Sequence, residues 1–202
     1  HSRLSFGHAL MREALYEELP VARRAELHRR IAATLEEVHA NDLEPHLAEL
    51  ADHFRTAGDA ASLERAVTYA QRAGESAQRM LAYEEAERQL ASALETLEQC
   101  PGAAAARRRE ILVALAEAQR GCGHVDEMHA SFRQAVELAR GLDVPTFAST
   151  VLRYSGARTE FSFVDETMVA LLEEAIASLP DAPSTLRARL MARLASSLLL
   201  SP

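Results

Sequence analysis

Histidines and carboxylates at helical spacing are the first groups in this sequence that suggest chemistry. Glu49 and His53 stand four residues apart and His46 lies one turn earlier, so a helix would place them together, as metal ligands require. No second cluster completes the set, and the spacing matches neither a zinc-protease nor a di-iron motif. A solvated helix face is the favoured interpretation, and His124 and His129 receive the same one. We therefore predict no metal site.

Nucleophilic chemistry has no recognisable motif. No Ser–His–Asp or Cys–His arrangement stands out by spacing, and Cys122, between two glycines, is interpreted as a small turn residue. Every basic residue is arginine, so a phosphate-binding loop with its lysine, a Schiff-base lysine and a Ser–Lys dyad are excluded from this chain. We predict that the chain is not an enzyme and binds no cofactor of its own.

Two arginine stripes have the composition of a phosphate-binding helix. Acidic residues lie close to both, and the net charge is −8, so salt-bridged solvated faces are favoured and direct nucleic-acid binding is not expected. The stripes are Arg23, Arg24, Arg29 and Arg30, and then Arg107, Arg108 and Arg109.

The composition predicts a globular, helical chain. Hydrophobic residues make up 48% and aromatic residues 5%, with alanine and leucine dominant, which favours closely packed helices over sheets. Two scattered cysteines are typical of a reducing compartment. The apolar run around Leu198–Leu200 is too short to span a bilayer. We expect cytoplasmic localisation and no membrane partner.

Residues 1–58 have a pattern distinct from the rest. Arg3–Phe6 alternates like one short strand, a helix follows from His8, and Pro20 marks the start of a second helix. That helix carries the stripe Leu27, Ile31, Leu35 and Val38. Asn41 and Asp42 are expected to cap a third helix, which carries Leu43, Leu47, Leu50 and Phe54 and closes at Gly58.

Residues 59–202 repeat a pattern of two-helix hairpins about 40 residues long. Small and large residues recur at the same offsets, and a small residue at the centre of each first helix lets its partner approach closely. A further helix, Ser184 to about Leu200, would begin a fourth hairpin. The first hairpin has Ala70, Ala73, Gly74, Ala77, Ala86, Leu90 and Ala93; the second has Leu112, Leu115, Ala116, Gln119, Met128, Phe132 and Ala135; the third has Leu152, Ser155, Gly156, Thr159, Met168, Leu172 and Ala175.

These offsets resemble those of elongated tetratricopeptide repeats, with aliphatic residues in most of the usual aromatic positions. The resemblance implies that the first helix of each hairpin lines a concave groove. An ordinary solvated face is the alternative. The groove positions include Gln71, Glu75 and Gln78, then Glu110, Glu117 and Arg120, then Arg153.

Four aromatic residues between Phe147 and Phe163 could form an effector pocket or an intersubunit contact, although filling the core is favoured. They are Phe147, Tyr154, Phe161 and Phe163.

The opening stretch, RLSFGHALMREALYEELPVARRAELHRRIAATLEE, resembles the end of the winged-helix domain in signal-transduction ATPases with numerous domains (STAND). It is most similar to the large ATP-binding LuxR-related regulators and to ATPases associated with bacterial adenylate cyclases. The matching positions are Phe6, His8, Leu10, Arg12, Glu13 and Tyr16, followed by Arg23, Arg24, Leu27, His28 and Ile31.

The resemblance implies that an upstream ATPase domain, with its ATP or ADP, belongs to the parent protein, and that this chain is a piece of it. In the wider class, a histidine matching His8 belongs to an MHD motif and contacts the β-phosphate of ADP. Here Gly7 and Ala9 depart from that motif. A capping or packing role at the strand–helix junction is the alternative for His8.

Together, these patterns predict an all-α fold: the end of a winged-helix domain and connector helices over 1–58, then a tetratricopeptide-like superhelix over 59–202. The expected function is the sensor region of an ATP-dependent transcriptional regulator. It would bind a protein or small-molecule effector on the concave face and couple it to a nucleotide-controlled switch. The alternative is a stand-alone adaptor for a protein or peptide partner.

Overall fold

The computed structural model describes residues 15–157 and 166–198, which form helices joined by short turns. Within those ranges the chain forms helices and turns and no strand, which confirms the all-α class there. The helices are α1 Val21–Val38, α2 Leu47–Ala57, α3 Ala60–Arg79, α4 Tyr83–Leu97, α5 Ala105–Cys122, α6 Val125–Arg140, α7 Val144–Ala157, α8 Glu166–Ser178 and α9 Thr185–Leu198, with a 3-10 turn at Glu44–His46 before α2.

Three predictions lie outside the described residues. They are the strand Arg3–Phe6, the start of the first helix with His8, and the segment that contains Thr159, Phe161 and Phe163.

Helix ends follow the local chemistry at most of the predicted places. Pro20 immediately precedes α1, and Gly58 ends α2 in the left-handed conformation at a φ of 74°. Asp59 caps α3 because its carboxylate accepts a hydrogen bond of 3.0 Å from the backbone N–H of Ser62. The predicted cap at Asn41 and Asp42 is wrong, since the 3-10 turn intervenes and α2 begins at Leu47.

Consecutive helices pack against each other along the described chain, most extensively in the pairs α3–α4 and α5–α6. In addition, α3 contacts α5, α5 contacts α7, and α7 contacts α9. These four helices form what we call the first layer, and α4, α6 and α8 form the second layer. Side chains on neighbouring first-layer helices therefore lie next to each other.

The core consists of two large apolar clusters and a smaller one. One surrounds Phe132 and Leu172 between α5 and α9, and a second surrounds Leu90 and Ile111 between α2 and α5. Leu94 packs against both, so the two clusters are continuous. The smaller cluster, around Phe54, joins α1 to α2 and α3.

The small position of the first hairpin works as predicted. A Cβ atom at Gly74 would lie 2.5 Å from Leu90 Cγ, so only glycine allows α4 to approach α3 this closely. In the third hairpin the corresponding Gly156 is exposed, and its nearest neighbour is the Arg193 guanidinium of α9. Phe147 and Tyr154 are buried, in agreement with the core-filling interpretation.

The apolar stripe predicted for α1 is only partly buried. Val38 is 68% exposed and Ile31 is 42% exposed, and the one fully buried residue of this helix is Ala32. None of the described helices combines the length and apolar character that crossing a bilayer requires.

Candidate functional site

The polar positions predicted on α3 form a partly buried row. Gln71 donates a hydrogen bond of 3.0 Å to Glu75, four residues along the helix. Gln78 donates one of 2.7 Å to the backbone carbonyl of Ala114 on α5. Gln78 thus fixes the neighbouring first-layer helix, whereas Gln71 and Glu75 satisfy each other. The row is polar, and its one charged group, Glu75, has a neutral amide as its hydrogen-bond partner.

Two of the groove positions predicted on the neighbouring first-layer helices α5 and α7 contact each other. The Arg153 guanidinium donates to Glu117 Oε1 from Nε at 3.0 Å and from Nη2 at 2.6 Å. Both side chains are partly exposed, so this ion pair contributes little to stability but sets the local charge pattern. Glu110 is exposed, and its partner is the adjacent Arg109 at 3.3 Å.

The second arginine stripe is salt-bridged, as predicted. Arg107 pairs with Glu64 of α3 at 3.1 Å and Arg108 pairs with Glu98 at 2.8 Å. Arg109 is the least satisfied of the three. Its side chain is 14% exposed, its two hydrogen bonds are long, at 3.3 Å to Glu110 and 3.4 Å to Thr150, and its buried Nε has no hydrogen-bond partner among the described residues.

Two clefts open on the first layer and share Arg153 and Gly156. The larger, of about 610 Å³, lies between α7 and α9, where Arg189 and Arg193 line it. The smaller, of about 190 Å³, lies between α5 and α7 and is lined by Glu117 and Arg120 as well. We call the two together the arginine cleft. Three of the predicted groove residues, Glu117, Arg120 and Arg153, therefore meet there, and those on α3 do not.

The arginine cleft is basic although the chain is acidic overall. Arg120, Arg189 and Arg193 form no ion pair with any described residue. Glu117, the one carboxylate among the described lining residues, is paired with Arg153. Guanidinium groups bind carboxylates and phosphates with two parallel hydrogen bonds. The cleft thus has the chemistry of an anion-binding site.

Sequence reasoning missed Arg189 and Arg193. Groove positions were assigned only within the first three hairpins, whereas these two arginines lie on α9. They reach the cleft because α9 packs on α7. The helical pattern of Ser184–Leu200 was visible, but its tertiary neighbour was not.

Apart from the arginine cleft, histidines from separate segments form a cluster near the start of the described chain. His28 Nδ1 lies 2.8 Å from His53 Nδ1, and Tyr16 Oη lies 2.9 Å from His28 Nε2. Glu49 lies between His46 and His53, at 3.5 and 3.9 Å. Burial and the neighbouring His53 lower the pKa of His28. The solvated face predicted for this stretch is thus correct for exposed Glu49 but wrong for His53, which is 20% exposed and packed on α1.

Another cluster joins residues that the sequence separates. His124 Nδ1 lies 2.9 Å from Glu87 Oε2, and the Cys122 thiol shares the same carboxylate. Burial, the hydrogen bond to Glu87 and the charges of Glu87 and Glu84 raise the pKa of Cys122 to about 11. Cys122 is therefore a protonated thiol and not an activated nucleophile. Its interpretation as a turn residue is wrong, since it is the last residue of α5.

Neither a protein-family model nor a curated protein matches this sequence.

Proposed function

We propose that this chain is the sensor region of an ATP-dependent transcriptional regulator and that it binds an anionic effector in the arginine cleft. The single observation that carries the proposal is the set of guanidinium groups, without an ion pair among the described residues, that line the two adjoining clefts of the first layer. Three such groups in an acidic protein favour a phosphate- or carboxylate-bearing small molecule, or an acidic peptide segment.

The repeat architecture supports this assignment. Two-helix units with common offsets, packed so that their first helices form one layer, are what a tetratricopeptide-like superhelix requires. Such arrays use the face of the first helices for recognition, and Glu117, Arg120 and Arg153 of the arginine cleft are among the positions that the resemblance assigns to that face. The fold proposed for 59–202 is therefore a repeat superhelix, and residues 1–58 are proposed as the end of a winged-helix domain.

The nucleotide-dependent part of the proposal comes from the opening motif. The segment from Phe6 to Ile31 resembles the STAND regulators, and His8 is the proposed nucleotide-sensing residue of the intact protein. The chain contains no lysine, so the phosphate loop and the ATP or ADP that it holds belong to the proposed upstream ATPase domain.

Coupling requires that the effector bind one conformation of the array more tightly than another. The arginine cleft could meet this requirement because its described lining residues come from four helices, α5, α6, α7 and α9. An anion held between them favours the arrangement in which these helices are close, which in turn biases the attached switch.

Binding to the chain itself is tested by calorimetry with three probes: pyrophosphate, citrate and a glutamate-rich peptide. At least one is expected to bind, and more weakly at higher salt. The double variant R189Q/R193Q should weaken that binding by about tenfold or more, since it removes two charge-assisted partners. The control is R133Q on α6, which is also exposed and unpaired within the described residues. An equal loss in R133Q, or no binding of any probe, contradicts the anionic-effector proposal.

The switch is tested separately by reading the coding sequence around this segment and assaying the whole gene product. A lysine-containing phosphate loop upstream and a helix-turn-helix downstream are expected, with ATP hydrolysis that changes when the bound probe is added. A start codon just before His1 would contradict the regulator assignment. The adaptor would then be the working function, and the same cleft would bind an acidic protein segment.

A further inference from the structure

Three side chains of the types that bind transition metals meet between the first and second hairpins. Glu87 lies on α4, Cys122 ends α5, and His124 immediately precedes α6. One carboxylate oxygen, the thiol sulfur and one imidazole nitrogen all lie within 4.8 Å of one another. No other group of three or more His, Cys, Asp or Glu side chains in the described part of the chain comes this close.

The backbone around the three residues holds them together. Gly121 lies directly against the ring of Tyr83, and no Cβ atom would fit between them, so the start of α4 is seated on the end of α5. Glu87 is one helical turn after Tyr83 and therefore points at the neighbouring Cys122. Gly123 has a φ of 80°, a left-handed turn that folds His124 back, and the His124 N–H donates to the Gln119 carbonyl at 2.9 Å.

The charges of this cluster suit a cation. Within the described residues the ionic partner of Glu87 is His124 and not an arginine, although the chain has 22 basic residues. The charge of Glu84 also acts on Cys122, so the electrostatic environment of the thiol is negative.

We propose that Glu87, Cys122 and His124 bind a zinc ion, with water in the fourth position. Zinc accepts thiolate, imidazole and carboxylate together, at about 2.0–2.3 Å and in tetrahedral geometry. Ligand atoms in such a tetrahedron are roughly 3.5 Å apart, so small rotations of these side chains suffice. His124 is half exposed, which leaves a path for the ion and a place for the water.

Binding changes few bonds. The Cys122 thiol proton leaves to solvent, and the His124 Nδ1 proton is exchanged through solvent so that neutral His124 carries its proton on Nε2. The contact between Glu87 and His124 is replaced by one bond from each to the metal, and no oxidation occurs. The bound ion would link the first turns of α4 to the α5–α6 turn. Because it binds the folded chain, it would also stabilise that state by mass action.

Cobalt substitution tests this site, because only a cysteine ligand gives an intense cobalt–thiolate charge-transfer band in the near ultraviolet. The reduced, metal-free 202-residue chain is titrated with Co²⁺ and then with Zn²⁺, in a phosphine reductant. We expect a band that saturates at one equivalent, visible d–d bands of four-coordinate intensity, and displacement of both by zinc. The melting temperature should rise with zinc.

Variants distinguish a built site from scattered weak binding. C122S should abolish the band, and E87Q and H124Q should weaken zinc affinity by at least about tenfold. The matched controls are C100S, at the other end of α4, and H46Q, in the separate histidine cluster; both should retain the band. Circular dichroism checks that each variant folds. No band in the folded wild-type chain, or a band that survives C122S, overturns the proposal.

Discussion

At the scale of single residues, the pair His28–His53 makes the protein sensitive to acid. Two Nδ1 atoms 2.8 Å apart share one proton, with one ring donating and the other accepting. Burial of His28 and the neighbouring His53 ring both disfavour an added proton on His28 and lower its pKa. The arrangement therefore favours neutral His28.

The free energy of unfolding should fall as the pH is lowered below about 6.5, the pKa of an ordinary histidine. The pKa of His28 is lower in the folded than in the unfolded chain, so the unfolded chain takes up its proton first. The loss should begin as the pH falls to about 6.5 and level off below the lowered folded pKa. Urea unfolding between pH 8 and pH 5 measures it.

The variant H53Q should reduce this loss, because glutamine keeps a hydrogen-bonding partner for His28 without a like charge. H124Q is the control, since the partner of His124 is the carboxylate of Glu87 and not a second imidazole. An acid-side loss that is as large in H53Q as in the wild type would contradict the role of the pair.

At the scale of helix pairs, the α3–α4 interface depends on the absence of a side chain at Gly74. G74A should lower the free energy of unfolding by about 1–3 kcal/mol, because the new methyl group overlaps buried Leu90. G141A is the matched control, since its Cβ would meet nothing closer than a backbone oxygen at 3.6 Å. Chemical denaturation measures both.

A double variant shows whether the overlap is the cause. L90A alone should destabilise by opening a cavity, but in the G74A background its cost should shrink because the clash is gone. If the losses in free energy of unfolding of G74A and L90A simply add in the double variant, the effect of G74A does not come from overlap with Leu90.

Helix pairing was also what the sequence predicted best. The periodic small and large residues predicted helices where α3 to α8 lie, and a leucine stripe predicted α9, since local spacing and packing agree there. The prediction failed at Asn41 and Asp42, where Pro45 permits a 3-10 turn before α2. It also failed at Val38 and Ile31, because a stripe of apolar residues does not reveal whether a neighbouring element covers it.

The candidate sites were predicted less completely, for a related reason. Glu117, Arg120 and Arg153 follow from the repeat register, which is local. Arg189, Arg193 and the cluster of Glu87, Cys122 and His124 depend on which helices become neighbours, and one sequence does not supply that information.

At the scale of the whole molecule, stability should decrease from the centre of the array towards its ends. Among the described helices, α1 and α9 each have one buried residue, Ala32 and Leu190, whereas the helices between them contribute most of the core. Amide hydrogen exchange should therefore be fastest in α1 and α9 and slowest in α4 to α6. L190A should accelerate exchange in α7 to α9 and leave α3 unchanged. Uniform protection, or uniform acceleration, would instead indicate a single cooperative unit.

The lateral contacts of the first layer have a mechanical consequence. The first-layer helices α3, α5 and α7 are joined by a few polar links, such as that between Gln78 and the Ala114 carbonyl and that between Arg153 and Glu117. A small rotation at one link carries every later helix with it, so displacements add along the array as they do along a lever. Closing the arginine cleft by a fraction of an ångström would therefore move the opposite end of the array, at α1, by several times that distance.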